Sequence, residues 1–143
     1  MPGVRKRLIW FLAVIAAWSL APAFAQDSGG GQEVRALIQR QLDAFARDDA
    51  PGAYALAAPG IKAIFTDSGI FMEMVRSRYT PVYRHRSADF EVLDLQGDNA
   101  TQAVTLVDEK GEVWTAIYKL ARQPDGSWLI SGCALIKADS KDT

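Results

Sequence analysis

The side chains in this sequence best suited to recognising a ligand are arginines and tyrosines interleaved over one short stretch. Arg76, Arg78, Arg84 and Arg86 lie in a segment without a single acid, and Tyr79 and Tyr83 fall between them. A guanidinium offers a planar fork of donors that matches a carboxylate or phosphate, and a phenol adds a flat apolar face with a polar tip. The chemistry expected of Arg76, Arg78, Tyr79, Tyr83 and Arg84 is an anion-recognising rim. The competing reading is a solvated turn in which Arg76 and Arg78 complement the carbonyl end of a preceding helix. Tyr118 stands apart, in an apolar segment of alternating pattern. Its ring belongs in a core and its hydroxyl then wants a partner, so Tyr118 is the candidate for lining a cavity.

Residues for covalent or metal chemistry are scarce. His85 is the single histidine, in Tyr83-Arg84-His85-Arg86. It could serve as a general base near neutral pH, with the flanking arginines favouring neutral imidazole. No carboxylate adjoins it in sequence to orient the ring, and an edge or solvated histidine is the simpler reading. Cys133, the single cysteine, sits in an apolar run. A nucleophilic thiol needs a lowered pKa and a base, and nothing local supplies either, so it reads as buried and inert. One histidine and one cysteine do not build the usual zinc sites. The pairs Asp48-Asp49 and Asp108-Glu109 read as a helix cap and a turn, not as calcium loops. Gly29-Gly30-Gly31 has neither a strand before it nor a lysine after it, so it is no phosphate loop. No cofactor and no catalytic residue is assigned.

The N-terminus sets the expected compartment. Arg5, Lys6 and Arg7 precede an uncharged, mostly apolar run from Leu8 to Leu20, and Ala23-Phe24-Ala25 follows. This is the three-part export pattern, with cleavage expected between Ala25 and Gln26 and a periplasmic destination. A helix of 13 residues spans about 20 Å at 1.5 Å per residue. A bilayer core is about 30 Å thick, so no stable membrane span is expected after cleavage. No arginine pair introduces the run, which favours the general secretory route. Residues 26–143 number 118, the size of one domain able to bury its own core. A lone cysteine allows no intrachain disulfide, so packing must hold the fold. The formal charge is −1, and −4 once the three leader cations are removed. With Arg76–Arg86 carrying +4, the remainder is strongly acidic. That balance and the export pattern exclude nucleic acid as a partner.

The elements that must position these groups follow from periodicity. Gln26–Gln32 reads as a flexible linker. Val34, Leu37, Ile38, Leu42 and Phe45 form one stripe of a helix over Glu33–Arg47. Asp49-Ala50-Pro51 signals a second helix, Pro51–Ala57, ending before Pro59. A short turn over Ile61–Phe65 leads to a third helix from Asp67 or Ser68 to Arg78. Four strands follow, Asp89–Leu95, Thr101–Val107, Glu112–Leu120 and Trp128–Leu135, separated by turns rich in Gly, Asp, Asn and Pro. Short connections imply an antiparallel meander. The class expected is α+β, one domain over residues 33–137, with N-terminal helices packed on a curved four-stranded antiparallel sheet. Residues 138–143 read as a disordered tail. Both faces of the third strand are largely apolar, so the outer face is expected to pair with a second copy of the chain.

Three stretches carry a family likeness: Gln41–Asp49 (QLDAFARDD), Phe71–Val75 with Tyr79–Tyr83, and Gly126–Cys133 (GSWLISGC). Through them the chain resembles the bacterial family catalogued as domain of unknown function 4864, among the nuclear transport factor 2-like, cystatin-like folds. The resemblance implies a cone: a bent antiparallel sheet, a long helix across it and a cavity between them. It places the arginine-rich segment near the open end. It implies no activity, since related folds include enzymes and proteins without chemistry. The expected function is therefore a non-enzymatic module that binds an unknown small molecule or a periplasmic protein. The alternative is a small cofactor-free isomerase, dehydratase or hydrolase using carboxylate, tyrosine or histidine groups in the cone.

Overall fold

The computed structural model describes residues 28–139. The expected leader, its cleavage point and residues 140–143 of the expected tail lie outside them. Five helices precede four strands: α1 (Ser28–Ala46), α2 (Ala50–Ala55), α3 (Pro59–Ile64), α4 (Ser68–Arg78), α5 (Thr80–Tyr83), β1 (His85–Gln96), β2 (Asn99–Asp108), β3 (Val113–Arg122) and β4 (Trp128–Lys137). The strands pair antiparallel in chain order, the expected meander. Each is longer than its apolar alternation suggested. Strand β1 starts at His85, opposite Asp108, because a sheet edge pairs through its backbone and asks little of its side chains.

Helix α1 begins at Ser28 and takes in Gly29-Gly30-Gly31, which the sequence reading had assigned to a flexible linker. Interior glycines weaken a helix, but here they let it approach the sheet. A Cβ at Gly31 would stand 2.9 Å from Leu93 Cδ2 on β1. The helix crosses β1 at its small residues, and Val34, Leu37, Ile38, Leu42 and Phe45 then bury against the sheet. Asp49 caps α2, its carboxylate accepting from the Gly52 amide at 2.9 Å. Asp67 caps α4 in the same way through the Ile70 amide at 2.8 Å. The sequence ends its last helix at Arg78, and Pro81 beyond it does not stop helical structure. It instead opens α5, where a proline at a first-turn position loses nothing because its missing N–H has no intrahelical partner.

The core lies between α1, α4 and the inner sheet face. It contains Phe71, Met72, Val75, Val104, Leu106, Ala116, Tyr118, Leu120, Trp128 and Ile130 beside the α1 stripe. The Leu56–Ala58 segment docks beside β4: the Ala58 amide donates to the Ile130 carbonyl at 2.7 Å and the Ile130 amide to the Leu56 carbonyl at 2.9 Å. Fully buried Gln102 serves an irregularity in β1 between Phe90 and Leu93. Its side-chain amide donates to the carbonyls of Glu91 (3.0 Å), Val92 (3.3 Å) and Ala103 (2.8 Å). On the outer face Val92, Val113 and Ile136 are exposed. The Ala138 amide continues the ladder to the Val113 carbonyl at 2.9 Å, so the expected tail is tied to the sheet at its first residue.

Candidate functional site

Between the helices and the inner sheet face is a cavity of about 280 Å³. Helix α1 contributes Gln41 and Phe45, α3 Ile61, α4 Phe71, Met74, Val75 and Arg78, α5 Val82, and the sheet Tyr118, Ile130, Gly132 and Cys133, with Phe65 and Tyr79 at the helix junctions. The lining is dominated by apolar side chains because these are the inner faces of amphipathic elements. Its aromatic wall is organised around Phe71, whose ring centre lies 5.7 Å from Tyr54 and 6.2 Å from both Phe45 and Phe65. These are ordinary separations for tilted aromatic pairs.

The polar groups in this lining are few. Tyr118 is 1 % exposed, and its hydroxyl has no hydrogen-bond partner among the described residues. Cys133 is its register partner on β4. The thiol adjoins the phenol and acts on it through its charge and a side-chain hydrogen-bonding contact, although the pair falls short of full hydrogen-bond geometry. Burial pushes the Tyr118 phenol well above its ordinary range, with the neighbouring thiol adding to the effect. Burial likewise pushes Cys133 up to about 12. Both therefore stay protonated at neutral pH, and Cys133 is not a thiolate nucleophile. The Tyr79 hydroxyl donates to the Cys133 carbonyl at 3.1 Å, tying the end of α4 to β4. Buried Gln41 donates to the Ala53 carbonyl at 3.4 Å. The described residues that line the cavity include no carboxylate and no imidazole.

The structure divides the six residues singled out by type. Arg78, Tyr79 and Tyr118 line the cavity. Arg76, Tyr83 and Arg84 meet instead at the C-terminal end of α1. There Arg84 Nη2 donates to Asp48 Oδ2 at 2.8 Å and Arg84 Nη1 to the Phe45 carbonyl at 2.7 Å. The Tyr83 hydroxyl donates to Asp48 Oδ1, and Arg76 lies 3.6 Å from the same carboxylate. The Arg84 guanidinium stacks 3.9 Å over the Tyr83 ring. Arg86 is also engaged, donating to the Glu109 carbonyl. His85 sits beside the Val82 carbonyl, its Nδ1 at 3.4 Å, and does not line the cavity. Asp108, opposite His85 in register, accepts from the amides of Lys110 (2.9 Å) and Glu112 (2.8 Å) and from Trp114 Nε1 (3.0 Å). Gln41 and Cys133 were missed as lining residues. Gln41 left a signal, a polar side chain beside Leu42 and one helical turn from Ile38 and Phe45 in the apolar stripe of α1.

Arg78 also borders a second depression of about 460 Å³, walled by Thr80, Arg84, Asp108, Glu109, Lys110 and Glu112 among others. Among the described residues no three of His, Cys, Asp and Glu come together as a metal site, and no helix is long and apolar enough to cross a membrane.

Residues 28–143 match the family described as Domain of unknown function (DUF4864). No curated protein matches the chain. Among solved structures, the chain is similar to an NTF2-like protein of unknown function from Shewanella baltica OS155, with TM-score 0.55, 12 % identity, and coverage of 78 % of this chain and 95 % of that one. It is also similar to an NTF-2 like protein of unknown function from Silicibacter pomeroyi DSS-3, with TM-score 0.54, 16 % identity, and coverage of 76 % and 96 %. At these identities the likeness speaks to the fold, and the fold is NTF2-like.

Proposed function

The chain belongs to the DUF4864 family and has an NTF2-like fold; on that footing we propose that it is an exported domain whose cavity binds a small amphipathic molecule without transforming it. One observation carries the reading: the helices and the inner sheet face surround a cavity of about 280 Å³ whose wall is mostly aromatic and aliphatic, with only a few polar groups. Pockets of this character, apolar with a few placed polar groups, are the usual form of small-molecule sites. Catalysis finds less support, because Tyr118 and Cys133 are both held protonated and no acid–base pair lines the space. Export rests on the pattern from Arg5 to Ala25. N-terminal sequencing of the secreted product should begin at Gln26, and a start at Met1 would refute it.

The binding test uses octanol and methyl NMR. Shifts are expected at Met74, Val75, Val82 and Ile130. Absence of cavity shifts would contradict the proposal. Replacing the sealed Tyr118 by phenylalanine should leave octanol affinity at the parent value and give an equal or higher unfolding temperature, since an unpaired buried polar atom is gone.

A further inference from the structure

We infer that the ligand of this cavity is a small monocarboxylate with an apolar body, held by Arg78 at the mouth. The inference rests on the binding reading above and adds the class of ligand. Four arginines lie between Arg76 and Arg86, and three are committed to protein groups: Arg76 to Asp48 and Glu73, Arg84 to Asp48 and the Phe45 carbonyl, Arg86 to the Glu109 carbonyl. Arg78 lines the cavity and has neither an ion pair nor a hydrogen bond among the described residues. It is exposed at the last position of α4, where its guanidinium can meet a ligand entering the cavity.

Charge and size narrow the class. A guanidinium beside an apolar wall, without a carboxylate in that wall, attracts an anion and matches two carboxylate oxygens with its forked donors. One arginine suits a monoanion; a phosphate dianion asks for a second cation, and the lining supplies none. The space between is walled by Phe45, Phe71, Met74, Val75 and Val82, which favours an aliphatic or aromatic body. A volume of 280 Å³ equals that of about nine water molecules at roughly 30 Å³ each, so the ligand is small.

Calorimetric titration of the protein with ω-hydroxyoctanoate and with octanediol tests this, since the two differ only in the carboxylate. The acid is expected to bind about three- to tenfold more tightly, with a preference that shrinks as salt rises. In Arg78→Gln the preference should vanish while octanediol affinity is unchanged; Arg78→Lys should retain part of it, and Arg86→Gln all of it. Equal binding of both probes, or a preference that survives in Arg78→Gln, overturns the carboxylate assignment and leaves the cavity reading standing. Failure of both probes to bind overturns the two together.

Discussion

Two regions of this molecule use arginine and tyrosine in opposite ways. At the end of α1, Asp48, Tyr83, Arg84 and Arg76 form a closed set in which each polar group meets another. Asp48 occupies the left-handed region, φ 56°, where aspartate is among the few tolerated residues, and the contacts to its carboxylate hold that turn. Arg84 also takes the Phe45 carbonyl near the end of α1. Around the cavity the polar groups are sparse: the Tyr118 hydroxyl is sealed in the core, and Arg78 makes neither an ion pair nor a side-chain hydrogen bond among the described residues. Saturation marks scaffold: such groups have already met their hydrogen-bonding requirement within the chain. An arginine left without a protein partner at a cavity mouth can be completed by something else. Residue type alone would have put all of these arginines and tyrosines in one rim.

The largest test of that contrast is Phe45, which belongs to both regions: its ring lines the cavity and its carbonyl accepts from Arg84. Phe45→Ala should destabilise the protein by about 3–5 kcal/mol, read from denaturant midpoints, because it empties a core position. Arg84→Ala separates the regions. It should cost about 0.5–1.5 kcal/mol, because the Phe45 carbonyl loses its side-chain donor but keeps the Asp48 amide, while octanol affinity stays at the parent value. A loss of affinity in Arg84→Ala would merge the two regions into one site. The smallest effect is on the acid side. The Tyr83 hydroxyl, against some opposition from burial and with help from Arg84, holds Asp48 below the usual carboxylate range. At Asp108 burial pushes upward, but donation from Trp114 Nε1 and the Glu112 and Lys110 amides outweighs it and leaves that group lowered too. Folded-state values below the unfolded ones mean stability that is present at neutral pH and is lost as pH falls below about 4. Melting temperature should drop over that range, and less steeply in Arg84→Ala, which has already lost part of the Asp48 contribution.

Much of the architecture was legible in the chain. The apolar stripe of α1, the aspartate caps, the change of period after Pro81 and the turn residues between strands announce helices followed by a meander, since each is local physics. So was the grouping of Tyr118 on one face of β3 opposite Val113, Thr115 and Ile117, but with both faces largely apolar only the fold shows that the Tyr118 face is the inner one. The rest depended on distance in space. Gly31 reads as linker until Leu93 of β1 is seen beside it. Gln102 reads as a surface residue until the carbonyls of the β1 irregularity are found around its amide. Which arginine is unpaired depends on Asp48, Glu73, Phe45 and Glu109. All but Glu73 lie more than twenty residues from the arginine they bind, and only the closed fold brings them to it. Periodicity and capping act over a few residues and are written in the sequence, whereas the pairing of charges is a property of contacts that exist only once the helices lie on the sheet.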